Sequence, residues 1–176
     1  GEAMKTKIQS SEYWKVVYVA PRSEKKVGNT LTLRGIENFV PIKREKRKWS
    51  DRWKWVEMPL ISGYVFVKPD AQQRDRVLQV KSVLNYVRFN QADARVQDAE
   101  INALKSIQEK GYYVEIASEN LKSGDRARIA YGPFKGLTGN VIKQHSETMI
   151  TLIMDCIDIA LRIKVPAEVL IKEKPQ

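Results

Sequence analysis

Hydrophobic and polar residues follow two kinds of pattern along the chain, and the change comes near residue 111. Before it, strand-like and helix-like patterns alternate. Residues 13–19 (YWKVVYV) are β-branched and aromatic and stop before Pro21, which predicts a buried strand. Residues 98–110 carry a helical stripe of Ile101, Leu104 and Ile107, begun by Asp98 and stopped by Gly111.

Further elements are predicted between these two. Ser23 is positioned to cap a helix over 24–34 that Gly35 closes, although Gly28 weakens that helix. Asp70 and Gln73 have capping-box spacing and predict a helix to about residue 80. Strands are predicted over 38–48, 53–58, 59–69 and 84–89, and the first two form a hairpin that turns near Ser50 and Asp51. The expected fold is an α+β sandwich, with helices against a mostly antiparallel sheet.

Beyond residue 111 the helical pattern disappears. Short strands are predicted at 125–130, 138–144, 149–154, 159–165 and 168–172, an even spacing that is typical of a small all-β barrel. The expected organisation is a disordered tail (1–12), an α/β domain (13–110), a linker (111–122) and a barrel (123–176).

Charge points to a class of partner only for the first part of the chain. Residues 1–110 hold 22 Lys and Arg against 13 Asp and Glu, whereas residues 111–176 hold 9 against 8. A basic excess confined to one module indicates that this module faces a polyanion.

Candidate chemistry is sparse. The chain has one cysteine, Cys156, and one histidine, His145, which excludes an internal disulfide and a Cys/His zinc site, so we expect no metal and no cofactor. Cys156 lies in an apolar strand pattern and is expected to pack, and His145 lies in a polar stretch that predicts a loop. No apolar run reaches the roughly 18–20 residues that cross a bilayer, and no secretory signal opens the chain, so a cytoplasmic protein without membrane contact is expected.

Four stretches, in order along residues 13–172, resemble the NusG family of transcription factors. They are YWKVVYV, PLISGYVFV (59–67), SVLNYVRF (82–89) and the KOW-like GDRARIAYGPFKGLTGNVIK (124–143). The second departs from the family pattern at Ile61 and Ser62, where Phe and Pro are usual. The KOW motif corresponds to Gly124, Gly132, Pro133, Phe134, Gly136 and Gly139. Gly132, Gly136 and Gly139 are expected where the strands turn sharply or the backbone approaches closely.

The resemblance implies a function without chemistry. In this family the first domain docks on the paired helices of the RNA polymerase clamp and suppresses pausing or termination. The tethered KOW domain recruits a second partner, such as a ribosomal protein or a termination factor. Carried over to this chain, the docking residues are Tyr18, Leu60, Tyr64, Phe66, Tyr86 and Phe89. If Val65 and Val67 face the helices, alternation turns Tyr64 and Phe66 towards the polymerase; the alternative is that these aromatics form the core.

The basic hairpin is a second candidate site. Residues 43–54 (KREKRKWSDRWK) interleave cations with Trp49 and Trp53, and Trp55 follows, a composition suited to phosphates and exposed bases. In the family this region passes near the non-template DNA strand; nascent nucleic acid is the other candidate ligand. The candidate residues are Arg22, Lys25, Lys26, Lys46, Arg47, Lys48, Trp49, Arg52 and Lys81. The alternative is a solvated hairpin whose tryptophans pack across the strands.

Two other classes of protein account for less of the sequence. A ribosome-associated or RNA-binding KOW protein without a polymerase role explains the charge but not the PLISGYVFV strand, and an enzyme lacks a catalytic constellation. Within the family, SVLNYVRF, the long basic hairpin and the departure at Ile61 and Ser62 favour a specialised RfaH-type paralogue, a kind of antiterminator, over the general factor. RfaH has a C-terminal domain that also folds as a helical hairpin. Here the glycines and Pro133 predict a β-fold at rest, with the docking surface unmasked.

Overall fold

The computed structural model describes residues 12–117, 125–129, 134–144, 147–154, 157, 159–165 and 170–172. By its internal packing the chain divides into two compact units, Gly1–Gln97 and Asp98–Gln176.

The first unit is built on a four-stranded antiparallel sheet. Its elements are β1 (Lys15–Val19), α1 (Glu24–Leu33), β2 (Glu37–Phe39), β3 (Ile42–Trp49), β4 (Arg52–Pro59), β5 (Tyr64–Lys68), α2 (Gln73–Leu78), β6 (Val83–Tyr86), β7 (Arg88–Phe89) and β8 (Ala92–Asp93). The sheet has the order β2-β5-β1-β6, while β3–β4 and β7–β8 form two separate hairpins.

One face of this sheet packs on the two helices. Val17 and Val19 of β1 and Val65 and Val67 of β5 are buried in the same cluster as residues of both helices. Those helical residues are Val27 and Leu31 of α1 and Val77 of α2. The valines therefore face the helices, which is the condition under which Tyr64 and Phe66 lie on the other side of the sheet.

The helix ends follow the predicted rules in part. Gly35 has a positive φ of 74° and closes α1 as expected. Asp70 and Gln73 form both bonds of a capping box: the Gln73 N–H donates to Asp70 Oδ1 at 2.8 Å, and the Asp70 N–H donates to Gln73 Oε1 at 3.1 Å. Ser23 precedes α1, but its side chain makes no capping hydrogen bond.

The second unit combines one helix with a six-stranded antiparallel sheet. Its elements are α3 (Asp98–Lys110), β9 (Val114–Ala117), β10 (Asp125–Ile129), β11 (Thr138–Gln144), β12 (Glu147–Met154), β13 (Ile159–Lys164) and β14 (Leu170–Lys172), in the sheet order β14-β10-β11-β12-β13-β9. All five predicted strands are present, which confirms the β-rich C-terminal region. The α3 helix, expected in the first domain, groups with this unit.

The predicted linker, 111–122, contains a strand that the sequence analysis did not anticipate. β9 extends the sheet by pairing with β13, so that Val114 lies opposite Ile163. Four residues are too few for a period-2 pattern to be distinctive, and tertiary pairing stabilises this strand.

The described part of the KOW-like segment forms a tight turn. Gly136 has a φ of 88°, as expected, and its N–H donates to the Ile129 carbonyl at 3.0 Å. Phe134 is fully buried, with its ring 5.7 Å from that of Tyr112. Gly139 pairs with Ala127 within the β10–β11 ladder. Gly124, Gly132, Pro133, His145 and Cys156 lie outside the described residues.

Candidate functional site

An aromatic pair lies on the sheet face opposite the valines. Tyr18 of β1 lies directly opposite Tyr64 of β5, and their ring centroids are 5.3 Å apart with a tilt of 44°. Tyr18 is 40% exposed and Tyr64 is half-buried. Because side chains alternate along a strand, both rings point away from α1 and α2. This face therefore presents apolar aromatic surface with a polar hydroxyl at the edge of each ring.

Two other residues that we expected on this surface are buried. Phe66 is fully inaccessible and Leu60 is 5% exposed. Phe66 occupies the middle of an inner strand, opposite Val16 on one side and Phe39 on the other. In this structure both residues contribute packing and almost no accessible surface.

Tyr86 was expected on the docking surface, but it faces the valine core. The pairing of β1 with β6 shifts register between Tyr18 and Val19: Asn85 lies opposite Tyr18 and Val83 opposite Val19, so Leu84 is an extra residue on β6. This irregularity has the character of a β-bulge and turns Tyr86 to the side of Val17. The ring is 2% exposed, and its hydroxyl donates to the Arg74 carbonyl at 2.7 Å. Burial raises the pKa of this phenol.

Phe89 is the most exposed member of the predicted docking set. It is 71% exposed on the small β7–β8 hairpin. Asn90 and Gln91 form the turn of this hairpin with φ of 50° and 65°, the positive pair that a type I′ turn requires.

The β7–β8 hairpin is anchored by Asp93, whose side chain is only 6% exposed. Its carboxylate accepts a pair of hydrogen bonds from Arg74, at 2.7 and 2.8 Å, and one from Lys15 at 2.9 Å. Arg88 lies 3.4 Å away. The bond from Arg74 is the main reason that the pKa of Asp93 is lowered to about 2. Sequence reasoning missed this cluster, because its members come from four separate elements.

The basic hairpin β3–β4 has two distinct faces. Paired residues share a face, and successive residues alternate between faces. Lys46 lies opposite Trp55 and Lys48 opposite Trp53, so these residues and Arg44 form what we call the double-tryptophan face. The other, single-tryptophan face holds Trp49 and its opposite residue Arg52, together with Lys43, Glu45, Arg47 and Lys54.

The tryptophans of this hairpin are open to solvent. Trp49, Trp53 and Trp55 are 53, 60 and 58% exposed. Each has a cation near its ring: Lys54 at 4.8 Å from Trp49, Lys46 at 6.0 Å from Trp53 and Arg44 at 5.3 Å from Trp55. The indoles therefore pack across the strands against cations, as the solvated-hairpin alternative expects, and each remains more than half exposed.

The remaining basic candidates lie near the base of the hairpin or at one end of the sheet. Lys25 donates to the Glu57 carbonyl of β4 at 2.7 Å and so ties α1 to the hairpin. Arg22 and Lys81 are both exposed. The segments that carry them are linked by a hydrogen bond in which the Ala20 N–H donates to the Ser82 carbonyl at 2.9 Å. Lys26 is exposed on α1.

Two kinds of feature were not found in the part of the chain that the structure describes. None of its helices is both long enough and apolar enough to cross a bilayer. It contains no cluster of three or more His, Cys, Asp or Glu side chains suited to a metal ion.

A family model matches most of the first unit and the beginning of the second. Residues 12–105 match the family model described as NusG, transcription termination factor nusG. The chain belongs to the NusG family. It is thus a transcription factor of this family and has no enzymatic role.

A solved structure shows a similar fold. NusG of Thermotoga maritima, in a structure entitled "Domain interaction in Thermotoga maritima NusG", has a TM-score of 0.56 and 19% identity over 94% of this chain and 99% of that one. The MjSpt4:Spt5 complex, conformation B, has a TM-score of 0.32 and 17% identity over 93% and 99% of the respective chains. A search of curated proteins gave no match.

Proposed function

We propose that this NusG-family protein docks on the clamp region of RNA polymerase and suppresses pausing or termination during elongation. The observation that carries the proposal is the Tyr18–Tyr64 pair, which exposes aromatic surface on the sheet face turned away from the helices. Tyrosine is among the residue types enriched at binding hot spots, because its ring is apolar and its hydroxyl can still reach a polar partner.

The basic hairpin supports a second contact, with the nucleic acid held by the polymerase. Its cations and exposed indoles suit a single strand such as the non-template DNA strand or the nascent transcript. The C-terminal unit is proposed to recruit a further partner, such as a ribosomal protein or a termination factor. The long hairpin also favours a specialised antiterminator over a general elongation factor.

Polymerase docking is tested with a Tyr18→Ala, Tyr64→Ala double variant in a binding assay with core RNA polymerase of the same organism. Each lost anchor should cost about 2 kcal/mol of binding free energy. The fold should persist, since Tyr18 is substantially exposed and Tyr64 is half-buried.

The matched control is Leu33→Ala, which removes an apolar side chain that is 88% exposed at the end of α1. It should bind polymerase as the wild type does. Undiminished polymerase binding by a folded Tyr18→Ala, Tyr64→Ala variant would rule out this docking face. Phe66→Ala is unsuitable as a test of docking, because truncating a fully buried Phe typically destabilises a fold by about 3–5 kcal/mol.

A further inference from the structure

The two tryptophans of the double-tryptophan face have a spacing that matters for base stacking. Trp53 and Trp55 are two residues apart on β4 and on the same side of it. A strand rises about 3.4 Å per residue, so the two indoles start about 7 Å apart. Stacked bases of one strand are separated by about half that distance. Two neighbouring bases seated on the two indoles must therefore be unstacked from each other, which a single strand permits and an intact duplex does not.

The cations on this face are placed to meet the phosphates of such a strand. Lys46 and Lys48 lie directly opposite the two indoles. Among the described residues, no carboxylate lies within ion-pair distance of either lysine. Arg44 has Glu57 at 3.9 Å, but both side chains are more than 60% exposed, so this pair is weak.

The single-tryptophan face differs in both respects. Glu45 holds Lys43 at 2.6 Å and Arg47 at 3.4 Å, so two of its cations already have a carboxylate partner. Trp49 is its one indole. One indole cannot seat two neighbouring bases.

We infer that the double-tryptophan face is a two-base platform for single-stranded nucleic acid. Trp53 and Trp55 each stack on one of two neighbouring, unstacked bases, and Lys46 and Lys48 neutralise the adjoining phosphates. Trp49, which the sequence placed among the binding residues, lies on the opposite face and takes no part. This inference rests on the proposed contact between the hairpin and nucleic acid and adds the mode of binding and the residues that perform it.

The test separates bases from phosphates. Full-length protein is titrated into two fluorescent single strands of equal length, an oligothymidylate and an abasic strand with the same phosphates. Trp53→Ala with Trp55→Ala should weaken binding to oligothymidylate by about tenfold for each indole and leave binding to the abasic strand unchanged. Lys46→Ala with Lys48→Ala should weaken binding to both strands by the same factor.

Trp49→Ala is the matched control, because it removes an equally exposed indole from the other face of the same hairpin. Its affinity for oligothymidylate should stay within about twofold of wild type. The inference is overturned if Trp49→Ala weakens binding as much as the double variant, or if the double variant loses equal affinity for both strands. If the double tryptophan variant and the double lysine variant both bind as the wild type does, the hairpin is not a nucleic-acid site and the proposed contact fails as well.

Discussion

Gly28 lies in the middle of α1, where the helix comes close to the segment that follows it in the chain. A Cβ added at Gly28 would lie 2.9 Å from Val40 Cγ2 and 3.1 Å from Asn38 Oδ1. Asn38 cannot easily withdraw, because its amide donates to Thr32 Oγ1 at 2.9 Å and to the Ile36 carbonyl at 3.0 Å. Gly28 lowers the helix propensity of this segment, but the packing against Val40 and Asn38 leaves no room for a larger residue.

This contact predicts the sign of a glycine-to-alanine substitution. Helix propensity alone would make Gly28→Ala stabilising by about 1 kcal/mol. We expect destabilisation instead, by about 1–3 kcal/mol, because the new methyl group overpacks a rigid valine. Urea unfolding measures the difference. Asn29→Ala, at the next and exposed position of α1, is the control and should be neutral or slightly stabilising. A Gly28→Ala protein as stable as that control would contradict the packing argument.

Among the elements, those with local determinants could be predicted and those set by tertiary contacts could not. Short sequence patterns predict the capping box of Asp70 and Gln73 and the valine face of β5, and both are present. The orientation of Tyr86 depends on an irregularity in β6 that no alternation pattern predicts. The burial of Phe66 likewise depends on neighbouring strands that are distant in sequence.

The Asp93 cluster ties β1, α2 and the β7–β8 hairpin together and should make stability depend on pH. The folded pKa of Asp93 is about 2, below the ordinary value of about 3.9. Its stabilising contribution is therefore complete above about pH 5 and is lost as the pH falls towards the folded pKa. Linkage gives roughly 2–3 kcal/mol at neutral pH.

Asp93→Asn tests this contribution. The variant should be less stable than wild type at pH 7, and the gap in unfolding free energy should shrink as the pH approaches about 2. Asp75→Asn is the control: Asp75 also pairs with Arg74, at 3.2 Å, but its side chain is 83% exposed, so its removal should change little. A gap between wild type and Asp93→Asn that is constant from pH 7 down to about 2 would refute the role of the ionised carboxylate.

At the scale of the whole molecule, the excess positive charge belongs almost entirely to residues 1–110. The structure concentrates part of it on the β3–β4 hairpin, where Lys46 and Lys48 are exposed on one face. If the hairpin contacts the phosphates, removing a lysine from it should weaken nucleic-acid binding more than removing a cation elsewhere, although the net charge changes equally.

Two double variants with the same net charge separate these effects. Lys46→Ala with Lys48→Ala removes two cations from the hairpin, and Arg128→Ala with Lys135→Ala removes two exposed cations from the C-terminal unit. For single-stranded DNA, the slope of log affinity against log salt should fall in magnitude by about 0.7 for each lost phosphate contact in the hairpin variant. The C-terminal variant should keep the wild-type slope, since its cations do not meet the strand. Equal changes of the salt slope in the two variants would mean that a diffuse positive field attracts the nucleic acid. The proposed direct contact of the hairpin with phosphates would then be wrong.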